Sequence, residues 1–193
     1  MEASPMREKA LPAANVLRTR VPGAGHLVHM PAHIDIRLGH YNDAVIANQK
    51  GVEIDRTWAS QGGFYTLYRA HNFHFLAWAA MFEGRKATTM DAMKGMQEQI
   101  SLDLVRAYPD FLDAFMGAPV HAMVRFGMWN EILEIPTPPA DLQAWTAFWR
   151  YSRTVALAAL GRVDEAAAEL AEFKKAYDAV PESRTLGNNP ART

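Results

Sequence analysis

Seven histidines in a chain of 193 residues that contains no cysteine define the chemistry within reach. Four of them, His26, His29, His33 and His40, fall in one stretch, HLVHMPAHIDIRLGHY. The first three stand at i, i+3 and i+7, the spacing of a single α-helical face. His71 and His74 share a second stretch, HNFH, and His121 stands alone. Neutral imidazole is the commonest protein metal ligand. Two imidazoles on one helix and a third from a neighbouring helix can chelate zinc, copper or iron(II). His29, His33 and His74 are the trio whose spacing suits this best. Asp35 and Glu83 are carboxylates nearby in sequence, although Asp35, two residues from His33, belongs on another helical face. The lack of cysteine removes thiolate catalysis, disulfides and Cys-based zinc sites together. The sequence has no HExxH, no Gly-rich phosphate loop and no spacing that suggests a nucleophilic triad.

These side chains must be placed by helices. Gly39, Gly84, Gly127 and Gly161 each follow a long apolar helical pattern and precede another, in the phrases LGHYNDAV, EGRKATTM, FGMWNEIL and LGRVDEAA. Glycine suits the left-handed conformation that closes a helix. The chain therefore reads as an unpaired helix over about 5–20 and four helix pairs. The first pair covers about 26–38 and 42–58, the second 64–83 and 86–107, the third 109–126 and a short 129–135, the fourth 142–160 and 163–179. Strand patterns are nearly absent. Residues 1–180 form the helical domain, with Thr137 or Asp141 as candidate cap after the Pro136–Pro139 linker, and 181–193 a polar tail that frays or packs loosely. Pro31 disfavours helical geometry at Met30; the matching HNFH stretch has no proline, which favours a kinked helix over a late start.

Composition narrows the partners. Twenty basic against twenty-one acidic residues leave a net charge of −1, which argues against a nucleic-acid or anionic-membrane surface. No apolar run approaches a membrane span, and the first twelve residues lack the apolar core of a signal peptide. A soluble globular chain fits these features; they leave the compartment open. Met90, Met93 and Met96 form a stripe that reads as core. Trp145, Phe148, Trp149 and Tyr151 cluster on the fourth inner helix and read first as packing. Arg37, Arg69 and Arg125 read first as solvated arginines near helix ends rather than anion ligands.

The run LGHYNDAVIANQKGVEID resembles the second half of a tetratricopeptide repeat (TPR), with Gly39 and Tyr41 at the turn, Ala44 and Gly51 at small positions and Asp55 at the end. LGRVDEAAAEL fits again through Gly161 and Ala166, whereas Thr89 and Met96 replace small residues in the second pair. More of the chain, from EAS to HLVHMPAHIDIRLGHY and HNFHFLAWAAMFEGR, resembles a histidine-rich group of longer, often exported bacterial TPR-like proteins. That resemblance implies an α-solenoid of which this chain is a carboxy-terminal part, with amino-terminal repeats missing; an oligomer is the alternative expectation.

Counted back from the turn glycines, His33, His29 and His26 lie at offsets 6, 10 and 13; His74 and His71 at 10 and 13, with Trp78 at 6; and His121 at 6. The resemblance places these offsets on a concave groove lined by His26, His29, His33, His71, His74, Trp78 and His121 and continued by Phe148 and Tyr151. The expected function is a binding or scaffold module that holds a small molecule, a peptide or a metal ion there. The alternatives are a metal-dependent enzyme using His-ligated zinc, copper or iron, and a structural segment of a larger solenoid.

Overall fold

The computed structural model describes residues 2–58, 65–187 and 189–192. The fold is all-α, as the periodicity requires, apart from one minimal hairpin in the tail. The four turn glycines all adopt positive φ, at 79° for Gly39, 69° for Gly84, 65° for Gly127 and 75° for Gly161. This is the left-handed closure that only glycine makes without steric cost. By contact the chain divides into two compact units, Met1–Ile100 and Ser101–Thr193. The sequence had suggested one helical domain to residue 180.

In the first unit a 3-10 turn, Arg7–Ala10, leads into α1, Leu11–Arg20. The first inner helix is split into α2, Gly25–His29, and α3, Ala32–Leu38. Met30 and Pro31 between them keep right-handed helical angles, so the segment is a kinked helix. α4, Tyr41–Thr57, packs on both halves and on α5, Tyr65–Phe82, which packs in turn on α6, Lys86–Gln99. The residue that opens the second pair in the sequence reading, Phe64, lies outside the described residues. α4 buries Ala44, Asn48, Gly51 and Asp55, a single face at i, i+4, i+7 and i+11. Met93 and Met96 of α6 are fully buried, as core methionines.

The second outer helix does not run to residue 107. It ends at Gln99, Ile100 turns extended and buried, and Ser101 caps a new helix by accepting the Leu104 amide at 3.2 Å. A serine free to cap competes well with helix continuation.

The second unit begins with that helix, α7, Leu102–Ala107, followed by α8, Pro109–Arg125, and the short α9, Trp129–Glu134. α10, Gln143–Ala159, packs against α8 and against α11, Val163–Asp178. Neither Thr137 nor Asp141 caps α10. The buried Asp113 of α8 does so from outside, its two oxygens accepting the amides of Ala144 at 2.9 Å and Trp145 at 3.0 Å. The tail is anchored rather than frayed. Arg184 is nearly buried, pairs with Asp110 and donates to Asp113 at 3.2 Å, and Thr185–Leu186 pairs with Asn189–Pro190. A buried carboxylate that caps a helix needs a counter-charge, and the tail supplies it.

Candidate metal centre

Four of the sequence-selected histidines meet in the first unit. Nε2 of His29 stands 3.1 Å from Nε2 of His33 and 3.1 Å from Nε2 of His71. His26, His29 and His71 each present a nitrogen within 4.8 Å of the other two. α2 supplies His26 and His29, α3 supplies His33, and α5 supplies His71. The kink at Pro31 thus lets two short helices aim at one point. Phe75 walls the cluster, with ring centroids 5.0 Å from His29 and 4.5 Å from His33, and Tyr68 lies 4.4 Å from His26.

The ring orientations are set by oxygen atoms behind them. Asn48 donates its amide to the Ala44 carbonyl at 2.7 Å, so its Oδ1 faces His29. Nδ1–H of His29 donates to that oxygen at 2.7 Å. Asn72 donates to Asp55 at 2.7 Å, which turns its Oδ1 toward Nδ1 of His26 at 3.4 Å, and Tyr65 donates to the other Asp55 oxygen at 2.9 Å. Glu2 accepts from Nδ1–H of His33 at 3.2 Å. In neutral imidazole one nitrogen carries the proton and the other a lone pair. With their Nδ1 protons committed outward, His29 and His33 turn bare Nε2 lone pairs toward each other. Two such lone pairs at 3.1 Å repel unless a proton or a cation lies between them. With metal–nitrogen bonds of about 2.0–2.1 Å, two nitrogens on one cation stand about 2.9 Å apart at a right angle and about 3.4 Å apart at the tetrahedral angle. The observed separations fall inside that range.

Burial disfavours charge on His26, His29 and His71. His29 is fully buried, and loss of hydration, followed by the neighbouring His71, pushes its pKa down to about 2. Burial, then His33 and His26, pushes His71 down to about 3. His26 is lowered by burial and partly restored by its bond to Asn72. An imidazole whose folded pKa lies below its unfolded value stabilises the fold fully above the unfolded pKa, about 6.5. That contribution is lost as the pH falls from there towards the folded value. In the presence of chelator, the first unit is expected to lose about 1.4 kcal/mol per pH unit below pH 6 through His29 alone, and more with His71. Urea midpoints measured at pH 7, 6 and 5 check this, and a flat profile would contradict the buried cluster.

The sequence trio is corrected in one member. His71, not His74, meets His29 and His33. Equal offsets from the turn glycines pair His29 with His74, but α5 faces α2 one turn out of that register, as Tyr68 against His26 also shows. The first inner helix is broken and drawn against α4, whereas α5 is unbroken, so the two do not superpose residue by residue. Trp78 is exposed and edges onto Phe75 at 5.7 Å. His121, Phe148 and Tyr151 belong to the second unit, where the His121 ring lies 6.2 Å from each of the other two. Arg69 is not a solvated arginine; it is buried and donates to the Trp58 carbonyl at 3.0 Å.

Sequence reasoning missed Asn48 and Asn72 and gave Asp55 no part in the site. The available signal for Asn48 and Asp55 was a polar side chain on the small-residue face of α4, where a core position calls for an apolar one; Asn72 lies on α5 between the two histidines of HNFH. Comparisons with protein-family models, with curated proteins and with solved structures returned no match. Among the described residues, no helix is long and apolar enough to cross a membrane.

Proposed function

We propose that this chain is a metal-binding module of TPR-like architecture, holding one divalent transition ion of the zinc or copper class through His26, His29, His33 and His71. The observation that carries the reading is the convergence of two Nε2 atoms, of His33 and His71, on Nε2 of His29 at 3.1 Å each, while oxygen acceptors hold the opposite ring nitrogens of His29 and His33. Outer hydrogen bonds of this kind fix the tautomer of metal-bound histidine and raise its basicity. An all-imidazole set suits zinc, copper, iron or nickel rather than magnesium or calcium. The four turn glycines in left-handed conformation, with Ala44 and Gly51 on the buried face of α4, support the TPR-like reading and the likeness to histidine-rich bacterial TPR-like proteins.

The test is elemental analysis of untagged protein after dialysis against zinc or copper. One tightly held ion per chain is expected, and a metal content near zero would overturn the proposal. A metal-dependent enzyme is the second reading. It is favoured by the partial exposure of His33 and its partner Glu2, whose side chains are 19% and 44% accessible, so that one side of the cluster reaches solvent. An exchangeable position there would let a substrate join the metal. Azide shifting the visible bands of the cobalt-substituted protein supports this reading, and unshifted bands support a closed binding site.

A further inference from the structure

We infer that the turn closing α3 is a second cation site, separate from the histidine cluster, in which Asp35, His40 and Asp43 hold an oxygen-preferring divalent cation such as Mn2+. Gly39 brings the three together. Its positive φ reverses the chain between Asp35 on α3, His40 at the cap of α4 and Asp43 in the first turn of α4. One donor atom from each lies within 4.8 Å of the other two.

Clusters of this kind are common at helix ends; here the buried member sets the turn apart. The Asp35 side chain is 0% accessible, and Arg18 takes its Oδ1 at 2.6 Å. Oδ2 is equally buried and has no hydrogen-bond partner among the described residues. A carboxylate oxygen stripped of water and given no donor is costly. A cation drawn in by His40 and Asp43 would satisfy it. Both of these are exposed and line a cavity of about 420 Å³ together with Arg18 and Lys50, with Asp35 buried behind them.

The donor set identifies the class of ion. Carboxylates and water suit magnesium, calcium and manganese, and of these three manganese is the transition ion, the one that also accepts an imidazole. Arg18 offsets one of the two carboxylate charges and Lys50 lines the same cavity, so the affinity belongs at the weak end of such sites, about 10⁻⁴–10⁻³ M. The site does not depend on the histidine cluster, because none of its three donors belongs to that cluster.

Titration of Mn2+ into the full chain, followed by the six-line electron paramagnetic resonance signal of the free ion, tests the inference. The wild type should remove one Mn2+ per chain from the free signal, and His40→Ala and Asp43→Asn should each weaken that binding at least tenfold. Both substitutions are at exposed positions, and matching melting curves without metal would show that the fold is kept. A wild type that leaves the free signal undiminished at millimolar concentration would overturn the inference. So would His40→Ala and Asp43→Asn variants that bind Mn2+ like the wild type. Failure of the histidine cluster would appear instead as zinc binding that His29→Ala leaves unchanged, with Mn2+ binding unchanged as well.

Discussion

His29→Ala is expected to lower zinc affinity by about 10²–10³-fold, the largest effect of any single substitution at the cluster. Structural zinc sites of four ligands bind with about 10–16 kcal/mol, so one ligand's share is about 2.5–4 kcal/mol. His29 is the hub of the geometry, since both 3.1 Å contacts end on its Nε2. It is also fully buried, so its removal leaves a cavity as well as a missing ligand. Asn48→Ala separates the two effects. It keeps every imidazole but frees the His29 ring, and losing an outer hydrogen-bond partner of a metal ligand costs about 10–100-fold in affinity. His74→Ala is expected to cost less than either, because His74 lies outside the group of nitrogens that stand within 4.8 Å of one another and bears on the cluster through its charge effect on His71. Isothermal titration with zinc at pH 7.5 measures all three. Equal affinities for wild type and His29→Ala would remove the cluster from any account of metal binding.

The parts of this architecture that were legible in the sequence depend on backbone chemistry. A glycine after an apolar helical run has few other uses, and all four such glycines close helices in left-handed conformation. The histidines were legible because imidazoles repeated on one helical face are rare. Their pairing was not, because it depends on how far one helix slides along another, and that is set by contacts distant in sequence. His71 meets His29 because α2 lies where Gly25 and Gly51 allow it to lie. The cap on α10 was hidden for the same reason. Asp141 is the nearer acid in sequence, but it pairs with Arg106 at 2.8 Å, and Asp113 reaches the free amides across the packed helices. The break at Ile100 and Ser101 was local and could have been read, since a serine two residues before an aspartate is a common helix start.

Gly25→Ala tests the contact that aims the cluster, and it is expected to destabilise the first unit by about 3 kcal/mol, the upper end of overpacking costs. A Cβ on Gly25 would lie 2.1 Å from Oδ1 of Asp55 and 2.6 Å from the Gly51 carbonyl oxygen. Neither neighbour can give way cheaply. Gly51 O is helix backbone, and the buried Asp55 carboxylate is held by Asn72 and Tyr65. The remaining relaxation is for α2 to lift away from α4. That movement carries His26 and His29 with it and opens the separations to His33 and His71, so stability and metal affinity should fall together. For a unit of about 100 residues, a loss of this size lowers the melting midpoint by more than about 10 °C. Gly23→Ala is the control. Its added Cβ meets nothing within 4 Å, and an unhindered surface change stays within about 0.5 kcal/mol. Thermal melts of both variants with chelator, then with one equivalent of zinc, give the comparison. If Gly25→Ala melts and binds like Gly23→Ala, the close approach of α2 to α4 does not set the position of His29, and the convergence on its Nε2 needs another cause.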